Sequence, residues 1–172
     1  ASRLGAADKA PIPLLQADST LVPIQFIEAY DRLDYGLGTA LDSLHRLGRQ
    51  PPEVAIDLAI LAATINAADT RISRARNAQN GWTREIDIVI PVSDSALWTA
   101  QSEILGHTLR FLTGDHWRIA FRDRPMGKAR LAEPPTVLPL LSFDEVALLS
   151  GGLDSLVGAI DNLAAGRRLL FI

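Results

Sequence analysis

The chain has 172 residues, a formal net charge of −3 and 48% hydrophobic residues, values typical of a globular protein with its own core. It has no basic excess that would favour nucleic acid as the main partner, and no cysteine for a disulfide framework or a thiolate zinc site. No apolar run is long enough to span a bilayer and the first residues do not resemble a signal peptide, so we expect a cytoplasmic protein that does not contact membranes.

The N-terminal third begins with proline-rich sequence and then becomes helical in pattern. Prolines limit any helix before residue 30, so we expect only short extended pieces at Ile12–Leu15 and Leu21–Ile27. Leucines then recur at helical spacing between Gly36 and Leu47, and Gly48 is suited to end that helix.

A longer helix is predicted next. Pro51-Pro52 and Glu53 suit its first turn, and nearly every residue from Val54 to Ala68 is apolar. Such a composition predicts a central, buried helix. A polar turn is expected near Asn80-Gly81.

The middle of the chain predicts a strand, a helix and a second strand in that order. Ile86–Ile90 alternates and is β-branched, with Pro91 expected to end the strand, and Ser93 or Asp94 can cap the following helix. Trp117–Phe121 alternates as the second strand. The helix carries one predicted apolar stripe at helical spacing, formed by Trp98, Leu105, Leu109 and Leu112 and flanked by Ile104 and Phe111. We expect the aromatic residues Trp98, Trp117 and Phe121 to lie in the core rather than to stack on bases.

The sequence from Arg122 to Pro139 changes character and predicts a boundary between domains, because prolines and glycine alternate there with basic residues. We expect an N-terminal domain with its linker over residues 1–140 and a second domain beginning at 141–172. The basic residues of this loop favour a solvated linker over a phosphate or nucleic-acid site; they are Arg122, Arg124, Lys128 and Arg130.

Two other groups of polar residues are candidate sites. His45, His107 and His116 have no ligand-like spacing, so no metal site is predicted from them. Asp69, Arg71 and Arg74 follow the predicted central helix, where an ion-paired anchor for the turn at Trp82 is favoured over contact with a substrate.

The most informative segment is Ser150-Gly151-Gly152-Leu153-Asp154-Ser155. It lies between a predicted strand, Val146–Leu149, and a predicted helix, Leu156–Ala165. Gly166 is suited to end that helix, and the apolar run Leu169–Ile172 completes a βαβ unit. A helix start offers free N–H groups and the positive end of the helix dipole, and glycines let an anion approach. The segment therefore predicts a phosphate-binding loop, with a purely structural turn as the alternative.

The sequence motif of this loop differs from those of other phosphate-binding loops. It has neither the glycine and lysine spacing of a Walker loop nor the three glycines of a dinucleotide fold. The pattern S-G-G-x-D-S resembles the PP-loop of the N-type ATP pyrophosphatases. That resemblance implies cleavage of ATP between its α and β phosphates, with Asp154 and Ser155 as catalytic residues and Asp154 assisting Mg²⁺. It also implies six ATP-binding residues, which are Ser150, Gly151, Gly152, Leu153, Asp154 and Ser155.

Stretches upstream of the loop are similar to one branch of that family, the QueC-like proteins of bacterial antiphage defence, of the QatC type. The similar stretches are Ala67–Arg74, Gly81–Ile86, Ile90–Asp94 and Phe111–Trp117. The implied fold is α/β: a small N-terminal α+β domain followed by the first βαβ unit of the parallel sheet of a PP-loop domain.

The resemblance also implies a function. QueC enzymes are 7-cyano-7-deazaguanine synthases that adenylate a carboxylate and transfer it to nitrogen. The implied partners are ATP, a deazaguanine-type substrate and, in defence relatives, a protein encoded in the same operon. Zinc is possible in this family, but its cysteine ligands are not in this chain. A PP-loop domain is much longer than the segment 141–172, so we expect part of a longer enzyme that is inactive alone. The alternatives are a non-catalytic interaction or scaffold fragment and a tRNA-modifying or amidating PP-loop enzyme.

Overall fold

A computed structural model describes residues 1–27, 33–79, 81–137 and 142–171, apart from the side chain of Gln79. The fold is mixed α/β, with helices and short, mostly parallel strands in small sheets. The helices are α1 Leu37–Arg46, α2 Glu53–Arg71, α3 Arg74–Asn77, α4 Ser95–Thr99, α5 Ser102–Thr113 and α6 Leu153–Ala164. The strands are β1 Ser2–Arg3, β2 Ile24–Gln25, β3 Ala78–Gln79, β4 Thr83–Val92, β5 His116–Asp123, β6 Glu145–Ala147 and β7 Leu169–Phe171.

The central unit is the predicted strand, helix and strand. β4 and β5 pair in parallel, with Ile86 opposite Trp117 and Ile90 opposite Phe121, and α4 and α5 connect them. The prediction that Pro91 ends the strand is wrong, because β4 continues to Val92. The N–H of Arg124 donates to the carbonyl of Val92 at 3.1 Å, which places the even-numbered residues of β4 in the ladder with β5. The missing N–H of Pro91 would therefore point away from β5, where the ladder loses nothing.

A short hairpin precedes this unit and was not predicted. β3 pairs antiparallel with the start of β4, with Ala78 opposite Arg84, and Gly81 lies in the connecting turn with φ 76°. Asn80 lies outside the described residues. Two residues of β3 are too few to show the alternation by which a strand is recognised in sequence.

The long helix α2 differs from its prediction in burial. It begins after Pro52, as expected, but only one face is buried, whereas Val54 and Leu58 are exposed. The predicted burial therefore holds for one face only, because α2 packs against β4 on that side and turns its other face to solvent. The buried face consists of Ile56, Asp57, Ile60, Leu61, Thr64, Ala67 and Ala68.

One helix was predicted between β4 and β5, whereas the structure has two, α4 and α5. Asp94 caps α4 by accepting a hydrogen bond from the N–H of Leu97 at 2.9 Å, and the chain then breaks before α5. Three of the four predicted stripe residues, Trp98, Leu105 and Leu109, contact the core. The fourth, Leu112, is exposed to solvent, as are the flanking residues Ile104 and Phe111.

The N-terminal segment confirms one helix and little of the predicted extended structure. α1 matches the leucine pattern, and Gly48 follows its end with φ 70°. No strand forms at 12–15, and only Ile24–Gln25 of the second predicted piece is a strand, which pairs in parallel with β1. The core of the described residues lies among α2, β4 and β5 and includes Phe26, Ile60 and Ile90.

The C-terminal unit has the predicted order of strand, loop, helix and strand. β6 and β7 pair in parallel, with Val146 opposite Leu170, and α6 connects them. Gly166 follows α6 with φ 75°. The predicted boundary between residues 140 and 141 lies outside the described residues, as does Ile172.

Candidate functional site

The loop Ser150–Ser155 connects the end of a parallel strand to the start of a helix. β6 ends at Ala147. The prediction that the strand continues to Leu149 is therefore wrong, and Leu148 and Leu149 belong to the loop. α6 begins at Leu153, three residues before the prediction, because Gly152 already serves as its N-cap. The leucine and aspartate of the motif therefore lie in the first helical turn.

The two glycines of this loop have different backbones. Gly151 has φ 79°, in the left-handed region that residues with a Cβ rarely adopt, while Gly152 is extended. No atom lies within 4 Å of a Cβ built on Gly151. The loop therefore needs glycine at 151 for its backbone conformation, and the space beside it is open.

The hydroxyl groups of the loop are brought together. Ser155 Oγ donates to the carbonyl oxygen of Gly152 at 2.8 Å and lies 3.4 Å from Ser150 Oγ. Gly152 offers no side-chain cap, so the N–H groups of the first turn of α6 point out of the helix without an intrahelical partner. Residues 150–154 are all exposed and Ser155 is half-buried. The loop thus presents backbone donors, two hydroxyls and a helix dipole to solvent, the arrangement that suits a phosphate group.

Asp154 lies in the first turn of α6 and is exposed. Its negative charge is favourable for the helix dipole but would repel a phosphate bound at the same place. A divalent cation between the two removes that conflict, and Mg²⁺ is commonly bound by one carboxylate together with substrate phosphates. The exposed carboxylate and neighbouring hydroxyl therefore fit Mg²⁺.

Other metal sites find no support in the described part of the chain, where no group of three or more histidine, aspartate or glutamate side chains is arranged to hold an ion. The histidines do not converge. His45 lines a cavity of about 320 Å³ beside α1, whereas His107 and His116 line a groove beside β5.

The residues at the end of α2 form a buried ion-pair cluster with a different composition from the prediction. As predicted, Arg74 holds the Trp82 turn, donating to its carbonyl at 2.8 Å. Its carboxylate partner is Asp115, which it binds through both terminal nitrogens at 2.7 and 2.8 Å. Asp69 pairs with Arg84, whereas the guanidinium of Arg71 lies over the ring of Tyr35.

Arg84 and Asp115 are the centre of this cluster, and sequence reasoning assigned them no role. The Arg84 side chain is 2% exposed and that of Asp115 is fully buried, with their closest N–O distance 2.6 Å. Arg84 also donates to the carbonyls of Asp69 and Ile72. Burial alone would raise the pKa of Asp115, but hydrogen bonds and the charge of Arg84 hold that pKa below its ordinary value. The cluster connects three of the four stretches that resemble the QueC-like branch. Its side chains bind one another and nearby backbone carbonyls, so their role is structural.

A second buried cluster lies at the opposite end of β4. The carboxylate of Asp57 accepts hydrogen bonds from Ser93 N–H at 2.9 Å and from Trp98 Nε1 at 3.0 Å, and it pairs with Arg124. Trp98 and Trp117 are buried, as predicted, and the Phe121 ring contacts Trp98 with centroids 5.5 Å apart.

The predicted basic loop begins within β5, to which Arg122 belongs, and two of its arginines pair with carboxylates inside the protein. Arg124 is 8% exposed and pairs with Glu53 and Asp57, so the expected solvated linker does not begin there. Arg122 pairs with Asp8 at 2.5 Å. Since these two guanidinium groups bind internal carboxylates, the loop offers a partner fewer cations than its sequence suggests.

Comparison with known proteins found no match: no family model, no curated protein and no solved structure matches this chain. Membership of the QueC-like branch therefore stays a prediction based on the loop and the upstream stretches. None of the helices in the described ranges combines the length and apolarity needed to cross a membrane.

Proposed function

We propose that Ser150–Ser155 binds the phosphates of ATP, and that the protein to which this chain belongs is a QueC-like ATP-dependent enzyme. The observation that supports this most is the position of the loop between β6 and α6 of a parallel βαβ unit, with Gly151 at φ 79°. Ligands of open parallel sheets bind beyond the carboxyl ends of the strands, which is where this loop lies.

In this proposal the residues of the loop act by binding and orientation. The first-turn N–H groups of α6 and the hydroxyl of Ser150 donate to phosphate oxygens, and they stabilise the negative charge that develops on departing pyrophosphate. Ser155 contributes after its hydroxyl turns from the Gly152 carbonyl to the ligand. Asp154 and the phosphates would hold Mg²⁺, which when bound neutralises charge on the phosphate oxygens.

The proposed chemistry is adenylation of a carboxylate, of the deazaguanine type in the QueC-like branch, followed by transfer to a nitrogen nucleophile. The product is a nitrile, an amide or a conjugate with a protein, in antiphage defence. The tRNA-modifying alternative rested on the basic loop, two of whose arginines bind internal carboxylates. The observations therefore favour the QueC-like function over that alternative.

Two glycines of the same βαβ unit give a matched test. Gly151 and Gly166 have φ of 79° and 75°, and a Cβ added at either meets no atom within 4 Å. An alanine at each position carries the same backbone strain, of about 1 kcal/mol. We expect Gly151→Ala to lower the affinity for MgATP at least tenfold in calorimetric titration, while Gly166→Ala binds like wild type.

Asp154→Ala separates the metal contact from the backbone contact. We expect it to weaken binding of MgATP but not of ATP measured with a chelator present, since only the first needs the carboxylate. Equal affinities of both glycine variants would contradict the proposal, as would a wild-type chain that binds no ATP. The loop would then be a structural turn.

A further inference from the structure

An apolar pocket of about 220 Å³ lies between the N-terminal segment, α2 and β4, and we call it the N-terminal pocket. Residues 12–15 and 19–24 cover one side of it, and they form no helix and, apart from Ile24, no strand. The C-terminal part of α2 and residues 87–89 of β4 form the other side. Most of the lining side chains are aliphatic and none is aromatic. The pocket therefore suits a hydrocarbon chain better than an aromatic ring, which would find no ring to stack on.

Three polar side chains that line the pocket are hydrogen-bonded within the protein. The Asp87 carboxylate accepts a hydrogen bond from Ser19 Oγ at 2.9 Å and pairs with Arg118 at 2.6 Å. Thr64 Oγ1 donates to the carbonyl of Ile60 at 2.7 Å. Because these groups are already satisfied, a ligand inside the pocket needs few polar atoms there, and its affinity depends on burial of apolar surface.

Arg71 is the one basic side chain among the described residues that line the pocket. It lies in the last turn of α2 and is exposed, so its charge lies at the opening of the pocket. Its guanidinium lies over the Tyr35 ring, 5.9 Å from the ring centre, and no carboxylate of the described residues forms an ion pair with it. The N–H groups at the edge of the guanidinium plane can therefore donate to the carboxylate of a ligand.

The volume of the pocket limits the length of the chain that it can hold. Sites for drug-sized ligands have volumes of roughly 300–1,000 Å³, so this pocket takes a smaller molecule. At roughly 30 Å³ for a group the size of a water molecule or a methylene, it holds about seven such groups. Leu14, Leu21 and Val22 also line the pocket and are exposed, so a bound chain covers apolar surface that otherwise contacts water.

We propose that the N-terminal pocket binds a medium-chain aliphatic monocarboxylate. The hydrocarbon chain, of about seven carbons by the volume of the pocket, lies among the aliphatic side chains, and the carboxylate accepts hydrogen bonds from the guanidinium of Arg71. Burial of the chain supplies most of the affinity, and the ion pair sets the direction in which the chain enters. The pocket contains no residue of the Ser150–Ser155 loop, so this proposal does not depend on the proposed ATP chemistry.

A series of carboxylates tests this proposal on the 172-residue chain. We expect calorimetric titration to show that affinity rises about three- to fourfold with each methylene from butanoate to octanoate and then levels once the pocket is filled. Octanamide has the same chain without the charge and should bind at least fivefold more weakly than octanoate. In the ¹⁵N-labelled chain, octanoate should shift the amides of residues 19–24 and 67–72, and shifts confined to other residues would overturn the proposal.

Two arginines give a matched pair of variants. Arg71 and Arg46 are both exposed and lie in the last turn of a helix, but only Arg71 lines the pocket, and both variants should fold normally. We expect Arg71→Gln to bind octanoate at least fivefold more weakly and octanamide unchanged, whereas Arg46→Gln binds both like wild type. Equal binding of octanoate and octanamide by wild type, equal affinities of the two variants for octanoate, or no binding at millimolar octanoate would overturn the proposal. So would a dimer in sedimentation whose contact covers the pocket.

Discussion

The region before residue 137 and the βαβ unit at 142–171 differ in how many of their stabilising contacts are buried. In the described residues the members of the core cluster lie between Leu4 and Ala132, and Ala159 is the one buried residue of α6. Ion pairs differ in the same way, since Arg84–Asp115 is buried whereas the side chains of Arg168 and Asp144 are 62% and 45% exposed. The structure of the first region depends on contacts between residues distant in sequence. The structure of the second depends mainly on local features, namely its glycine turns and the ends of its helix.

The largest expected difference concerns the two aspartates. Asp115→Ala leaves the charge of Arg84 buried without its main partner and should cost about 3–5 kcal/mol of unfolding free energy. Asp144→Ala removes an exposed pair and should leave the urea midpoint unchanged. If Asp115→Ala does not fold, Asp115→Asn gives the same comparison. Equal midpoints for the two alanine variants would show that the buried pair is not a determinant of stability.

Two isoleucines give the next comparison. Ile60 on α2 is fully buried, and Ile60→Ala should cost about 2–5 kcal/mol through lost burial and the cavity that remains. Ile160 on α6 is 55% exposed, and Ile160→Ala should change stability by about 0.5 kcal/mol or less, because exposed substitutions have small effects. Chemical denaturation of both variants measures the contrast. A loss at Ile160 as large as that at Ile60 would mean that other groups cover α6 in solution.

The pH dependence of stability should depend on the first region. The pKa of Asp115 is lowered in the folded state by Arg84, against the effect of burial. A lowered folded pKa contributes stability that is complete above the unfolded value of about 4 and is lost as pH falls below it. We therefore expect the stability gap between wild type and Asp115→Asn to be constant from about pH 5 to pH 8 and to close below about pH 4. A gap that persists at low pH would contradict this linkage.

The same contrast explains which features could be predicted from the sequence. The βαβ unit was predicted in outline because glycines at its turns and short apolar runs are local signals, and Gly166 follows α6 as expected. The central strands were predicted from their alternation. The predicted start of α6 was three residues too late, because its N-cap is Gly152 and not a polar side chain that the sequence would reveal.

The buried ion pairs could not be predicted in the same way. Asp115 and Arg84 are 31 residues apart, and only the parallel pairing of β4 with β5 brings them together. Leu112 was assigned to the buried stripe because it is apolar and continues the helical spacing of Leu105 and Leu109, and sequence does not tell where the packed face of a helix ends. The loop Ser150–Ser155 was located correctly between strand and helix, while its ligand stays a prediction.

The phosphate-loop proposal is tested most directly by a titration of the ¹⁵N-labelled chain with MgATP, followed by amide NMR shifts. The largest shifts should fall on the N–H groups of Gly151 to Ser155, at the exposed start of α6, and the amides of β4 and β5 should not move. Shifts confined to other surfaces, or none at millimolar MgATP, would contradict phosphate binding by this loop.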